Sequence, residues 1–585
     1  MKKIIVPLVL LFLALGLMSC QQAKYSDGVY TGTAKGKGGD LVVEVTVKDG
    51  DIDKAVLVSS HETEMISDMV ITKILDAVNK EKSINIDAVS GASMTSEALV
   101  SALKDALRQA GGTDKIFAED KKVVLSDKEE QLVQNYDVVI VGAGGAGLSA
   151  AVEAQAAGAK VVVLEKNPSV GGNTLVSGGG LNVPGSSQQK AKGIEDSVEL
   201  FVKDTLKGGD FKGNEKLVRV FAQGALPASR WLTEDLGVRF MEDRVQQFGG
   251  HSVPRALVSK GNHGTELIKK LWERALGTGV VIKLETKAVE LITDGGRVTG
   301  VKAVNAAGQD LTFNASRAVI LATGGFGANV EMRKEYNSEY DERYMTTDLP
   351  STTGDGIVMA EKVDAALTGM VYIQTYPTCN PVTGIISYVA NSRFYGAILV
   401  NAEGRRFVEE MGRRDLISKE ILAQTDSNAF LVWGQEIESA GNMNALHKDE
   451  YALMKSDDLI DSADTLKDLA EHFGVDVTQL EKTVEQYNRY VKDGKDEEFN
   501  RRGKLRTIAE GPFYMQRVIP SVHHTMGGLV INEKAQVLNE SGQIIPGLYA
   551  AGEVTGGIHG TNRLGGNAVT DVVVFGRIAG QNAAK

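Results

Sequence analysis

Apolar and polar positions follow two rhythms in the first hundred residues. Alternation with period two at 28–36, 41–47 and 54–60 predicts strands, with Asp49-Gly50 turning the chain between the second and third. Apolar residues then recur at helical spacing over 65–78 and over 95–108, which predicts two amphipathic helices. A charged stretch at 119–131 reads as a linker. A new pattern opens at Asn135. Residues 137–141 are a continuous apolar run, 142–147 a glycine-rich turn, 148–157 a helix and 161–165 a second strand, together a βαβ unit. Strand and helix signals continue to about 366. Residues 367–521 are less regular, with charged helices around 464–492, and 522–585 returns to glycine-rich turns and a final helix from Asn567. A chain that leaves a parallel sheet and re-enters it near its end carries an inserted cap, so the expected class is α/β with a smaller α+β unit in front.

Composition adds limits. With 43% hydrophobic and 24% charged residues in 585, the chain can bury several cores. The formal net charge of -12 and the absence of a basic tract argue against nucleic acid as a partner. The 65 glycines cluster beside apolar segments, as expected where backbone is held close to a ligand. At the N-terminus Lys2 and Lys3 precede an apolar run over 4–18, too short for the ~20 residues that span a bilayer and suited to a secretory signal. Leu17-Met18-Ser19-Cys20 resembles a bacterial lipobox, which implies cleavage after residue 19 and lipidation of Cys20. The expected location is then exported and lipid-anchored, facing the periplasm or the cell exterior. Only Cys379 remains, so no disulfide framework is expected, and no metal site is either.

The glycine turn carries the first chemistry. Gly142, Gly144 and Gly147 follow a hydrophobic strand and open a helix. The first permits the turn, the second lets backbone approach a pyrophosphate, and the third lets helix pack on strand. The helix N-terminus presents free N–H groups to phosphate. Glu165 closes the second strand, placed to bind ribose hydroxyls.

Three further pieces identify the dinucleotide by resemblance. Gly171-Gly172-Asn173, Ala322-Thr323-Gly324-Gly325 ending an apolar run, and Ala551-Gly552-Glu553 after another occur in this order. Over residues 135–585 the chain thereby resembles the FAD-dependent fumarate reductase and succinate dehydrogenase flavoproteins. That likeness implies non-covalent FAD held by Gly142, Gly144, Gly145, Gly147, Glu165, Lys166, Gly172, Asn173, Thr174, Gly179, Gly180, Thr323, Gly324, Gly325, Asp355, Gly552, Glu553, Gly566, Asn567 and Ala568. In the small front unit, Asp87 followed by Ser90-Gly91-Ala92-Ser93 resembles the motif on which a flavin transferase esterifies FMN, with Ser93 as acceptor and Thr95 as the fallback. Ser93 also suits a plain helix N-cap. The implied organisation is a lipoprotein signal peptide at 1–19, an FMN-binding domain at 20–115, a linker at 116–134, and an FAD-binding domain at 135–366 and 522–585. A capping domain at 367–521 would divide the FAD domain.

The same family supplies the expected reaction, reduction of a C=C bond beside a carboxylate. Ser521-Val522-His523-His524 and His559-Gly560-Thr561-Asn562-Arg563 resemble its clamp segments, which implies that His523 and Arg563 hold the carboxylate. Arg414, in Gly412-Arg413-Arg414-Asp415, matches the proton donor, and Arg393 a relay arginine. Burial and the adjacent Arg413 cation would both disfavour charge on Arg414. Two departures bear on the substrate. A His-Pro-Thr triplet of fumarate reductases is matched here by Tyr376-Pro377-Thr378, and their Thr-Glu pair before the relay arginine by a stretch, Val389-Ala390-Asn391-Ser392, with no acid. Tyr376 is similar to urocanate reductases, but the acid those enzymes use against imidazole is matched by Asn391. A second carboxylate would be poorly paired there, so an aryl-, imidazolyl- or alkylacrylate is expected over fumarate. The expected partners are that small unsaturated acid, a membrane-bound or soluble electron donor, and the flavin transferase. Alternatives are fumarate reduction proper, a reverse-running oxidase or dehydrogenase, and an electron-transfer flavolipoprotein with no substrate of its own.

Overall fold

The computed structural model describes residues 24–36, 39–60, 67–86, 93–123, 131–261 and 263–585. Cys20, Asp87 and Ser90 to Ala92 lie outside them. The chain divides into two compact units near residue 125.

The first unit is an antiparallel three-stranded sheet, Gly28–Lys35, Asp40–Lys48 and Asp51–Ser60, with helices Ser67–Glu81 and Ser93–Gln109. Alternation in the middle strand buries Leu41, Val43, Val45 and Val47 in one core with Leu99, Ala102, Leu103 and Ala106. Each such side chain contributes about 1.5–3 kcal/mol on leaving water. A Cβ on Gly32 would lie 2.0 Å from the Ala102 carbonyl oxygen, so the helix packs directly on the sheet backbone. The second helix starts at Ser93, two residues before the expected start, which makes Ser93 its first residue.

The second unit is built on a sheet of eight strands. Val133–Val141 pairs in parallel with Val161–Leu164 on one side and Asp310–Leu321 on the other. Ile544–Ala550, from the end of the chain, joins Asp310–Leu321 in parallel and completes the re-entry expected from sequence. Helix Gly145–Ala156 begins three residues earlier than its apolar pattern suggested, because Gly145 and Gly147 are helical rather than part of the turn. The closing helix Asn567–Ala583 packs on it so tightly that a Cβ on Gly580 would sit 2.3 Å from the Ala150 carbonyl oxygen.

The cap has its own core, centred on Trp433, Leu431, Ile398 and Met515. Its organiser is the thirteen-residue strand Phe513–Thr525, which pairs with Ile373–Cys379, Ala429–Trp433, Ile460–Ala463 and Met345–Thr346. The expected boundary at 521/522 falls inside this strand. One continuous strand therefore carries the cap sheet to His523 and His524.

Candidate active site

A cleft opens at the carboxyl ends of the parallel strands. Gly142 turns the chain at φ +103°, a conformation that L side chains rarely adopt. Gly147 must be glycine for another reason, since a Cβ there would lie 1.9 Å from the Gly142 carbonyl oxygen. Gly144, by contrast, faces open space, with nothing within 3.8 Å of its would-be Cβ. That is the cradle a pyrophosphate needs at the start of helix Gly145–Ala156. Glu165 is buried beside it, accepting from Ala143 N and Asn167 N at 2.8 Å each. Burial raises its pKa against those hydrogen bonds. Lys166 is paired with Asp355 at 2.8 Å, and both line the cleft with Gly145, Gly172, Asn173, Thr174, Thr323, Gly324 and Glu553. A mostly apolar, glycine-floored trough with an acid at the ribose position fits FAD.

The remaining expected cofactor residues are not part of this wall. Gly179, Gly180, Gly325 and Gly552 are sites of close packing, against His263 O, Phe248, Thr525 Oγ1 and Ala146 respectively. Asn567 accepts from Asn182 and donates to Thr205, and Gly566 and Ala568 flank it at the N-terminus of the closing helix.

Six residues from five separate segments meet on the cap side. Tyr376, on strand Ile373–Cys379, lies edge-on to the His523 ring at 5.4 Å and 70°. The Arg414 guanidinium lies over the Tyr376 ring, 4.7 Å from its centroid. The Tyr376 hydroxyl donates to Asn391 Oδ1 at 3.4 Å, and Asn391 shares the 3-10 turn Val389–Tyr395 with Arg393. Arg563 completes the group, close enough to Arg414 and His523 to influence both electrostatically.

Three guanidiniums thus come together, Arg393 and Arg563 buried and Arg414 half-buried, and each keeps a buried donor nitrogen with no partner: Arg393 Nε, Arg414 Nη1 and Arg563 Nε. Burial lowers the pKa of all three, Arg563 to about 9, with Arg414 and Arg393 adding like charge. Arg413 does not contribute as expected from its position in the sequence. It turns outward to Asp210 and Asp415, at 2.7 and 3.0 Å, and the cation that acts on Arg414 is Arg393. His523 is also not a cation. Burial, Arg563 and Arg414 hold its pKa well below the usual imidazole value, and its Nδ1 is 2.8 Å from Thr347 Oγ1.

Several supports were not visible in the sequence pattern. Gln374 Nε2 donates to the Arg563 carbonyl at 2.7 Å, fixing the loop that carries that arginine. The Arg393 carbonyl accepts from Arg501 Nη2 at 2.6 Å, while Arg393 Nη1 donates to the Glu410 carbonyl at 3.0 Å. Glu410 in turn sits fully buried between Arg406 and Arg501, and Arg406 also binds Asp496. None of these contacts follows from a helical spacing, since Arg406 and Glu410 lie in irregular chain and not on a helix. The contacts join residues 4 to 189 positions apart, most of them beyond the reach of any spacing rule.

Comparison with known proteins agrees with this geometry. The FAD binding domain family matches residues 137–569, and the FMN-binding domain family residues 36–108. A urocanate reductase of Eggerthella lenta is 45% identical over 95% of this chain and 92% of its own length. A cytochrome-type fumarate reductase of Shewanella frigidimarina is 41% identical over 77% of each chain. Among solved structures, the open conformation of a flavocytochrome c3 fumarate reductase superposes with a TM-score of 0.67 at 37% identity, covering 77% of this chain and 78% of that one. The cofactors are FAD and FMN.

Proposed function

Because the chain belongs to the FAD-binding fumarate reductase and urocanate reductase family, we propose that it reduces the C=C bond of an α,β-unsaturated carboxylate used as a terminal electron acceptor. The observation that carries this reading is the trio of guanidiniums with buried, unpartnered donor nitrogens, Arg393, Arg414 and Arg563. Cations left this way are costly unless an anion completes them, and a carboxylate is the anion whose geometry a guanidinium fork matches. The chemistry that the two flavins supply is electron delivery, ending in a hydride at the β carbon.

The chain's own residues do the rest. Arg563 and His523 bind the carboxylate, His523 as a neutral donor through Nε2 once Thr347 donates to Nδ1. Arg563 thereby also stabilises the negative charge that builds as hydride arrives. Arg414 gives a proton to the α carbon and regains it by way of Arg393. Lowered pKa values in both arginines favour this exchange. Tyr376 and Asn391 face the other end of the substrate with neutral groups, which favours an aryl- or imidazolylacrylate over a dicarboxylate. In the front unit FMN is esterified to Ser93, and Cys20 is the lipid-bearing residue of an exported, membrane-anchored protein.

The test is reoxidation of reduced viologen by fumarate, urocanate, cinnamate, acrylate and itaconate. Turnover with a substituted acrylate is expected. Equal silence across the panel would defeat the reductase reading, and fumarate as best substrate would defeat the reading of Tyr376 and Asn391.

A further inference from the structure

Beyond Tyr376, three rings that no motif singles out pack together. Tyr388 stacks on His447, with centroids 5.4 Å apart and 20° between planes. His263 meets Tyr388 edge-on at 5.2 Å and 81°, and lies 6.2 Å from His447. Tyr388 and His447 come from the cap, whereas His263 stands just before helix Thr265–Gly277 of the FAD-binding part. The cluster therefore joins the cap to the FAD-binding part.

Its position follows from its neighbours. Tyr388 is close enough to Tyr376 and Cys379 to be influenced by their charge. Its hydroxyl donates to the Val176 carbonyl at 3.1 Å, at the end of helix Gly172–Val176, whose first residues line the FAD cleft. A Cβ on Gly178 would lie 3.7 Å from the Tyr388 ring. Glu450, in the helix that His447 caps, accepts from Ser387 Oγ at 2.6 Å and Tyr388 N at 3.1 Å. That helix thus sets both the ring cluster and the turn bearing Asn391 and Arg393.

His447 is the member that packing leaves unexplained. Its Nε2 is buried without a hydrogen-bond partner, and the residue is only 9% exposed. A buried polar nitrogen left open is an expense that native structures rarely carry without a use. Burial, His263 and Arg244 push its pKa down to about 4, and burial lowers that of His263. Both rings are therefore neutral at ordinary pH. A neutral imidazole recognises N–H or O–H groups and gives little to a second carboxylate.

We propose that Tyr388, His263 and His447 form a subsite for the planar group at the far end of the unsaturated acid, with His447 Nε2 hydrogen-bonding a neutral polar atom on its edge. This rests on the reductase reading and goes further by fixing the substrate class. The acid is a 3-arylacrylate or heteroarylacrylate with a polar, uncharged ring edge.

The experiment compares kcat/KM of the holoenzyme, driven by reduced viologen, for acrylate, fumarate, cinnamate, para-hydroxycinnamate and urocanate. The wild type is expected to prefer para-hydroxycinnamate or urocanate over cinnamate by about fivefold or more, the scale of one neutral hydrogen bond. In His447→Phe that preference falls below about twofold, and His447→Gln restores part of it. FAD absorbance reports that each variant is folded. A ratio unchanged in His447→Phe, an equal loss for all acids, or wild-type preference for acrylate or fumarate overturns the subsite alone. Silence of the wild type toward every acid overturns the reductase reading and the subsite together.

Discussion

Arg413 and Arg414 are neighbours in sequence and opposites in environment. Arg413 is doubly paired with carboxylates, which raises its pKa, whereas desolvation of the Arg414 guanidinium and the nearby Arg393 cation lower that of Arg414. Only the second has reason to release a proton. Replacing Arg414 with Ala is expected to cut kcat by about 10²–10⁴ while FAD absorbance is kept, and the same change at Arg413 by less than tenfold. Equal losses at the two positions, measured by viologen reoxidation, would remove Arg414 from its role. The sequence reading named Arg414 and the burial that lowers its pKa, but mistook the cation that assists, which is Arg393 and not Arg413. Side-chain direction at the start of a helix decides that, and a run of two arginines does not encode it. His523 was legible in the same partial way. Its position could be named, but its lowered pKa depends on burial and then on Arg563 and Arg414, all brought about only by the fold.

At the scale of elements, the 3-10 turn Val389–Tyr395 holds two site residues and needs an anchor at its N-terminus. Glu450 supplies it, bound to Ser387 Oγ, Tyr388 N and, at 3.5 Å, Val389 N. Burial raises its pKa from 4.5 to about 7 against these hydrogen bonds. The sign for stability follows. Below pH 4.5 both states hold the proton, and between 4.5 and about 7 only the native state does, so Glu450 makes the protein less stable as pH rises through that window. Glu450→Gln copies the protonated form and removes this dependence. Relative to wild type it should gain about 2–3 kcal/mol between pH 4.5 and 8, read from denaturant midpoints. A constant difference across that range would show that Glu450 is ionised throughout. Element positions were readable from periodicity to within two or three residues at the helix starts 67, 93 and 145. The anchoring of the turn was not readable, because Glu450 sits 62 residues away from Tyr388 on a helix whose apolar pattern says only that one face is buried.

For the whole molecule, the hydrophobic cores fall in two separate sequence blocks. One contains Leu41, Val43, Ile74 and Leu103; the other spans Val138 to Ala584. The matches to the two flavin-domain families fall on these blocks without overlap, at 36–108 and 137–569. This division was legible because each block has its own hydrophobic rhythm and a charged stretch lies between. The extent of the cap was less so, since one strand from 513 to 525 serves both the cap sheet and the site, and a strand gives no signal where a domain label changes. Separate cores mean that chemistry in the small unit can be altered without disturbing the large one. Ser93 is the first residue of helix Ser93–Gln109, and loss of a Ser that caps a helix costs about 0.5–2 kcal/mol. In Ser93→Ala the mass increment of FMN on the peptide containing residue 93 should disappear, while FAD stays near one per chain. The calorimetric transition that releases FAD should move by less than about 2 °C, because a change of 1 kcal/mol shifts a domain of more than 150 residues by only a few degrees and none is made in that unit. An FMN increment that persists in the variant would move the attachment to Thr95, the buried hydroxyl in the same first turn. Loss of FAD together with FMN would show that the two units hold their flavins as one.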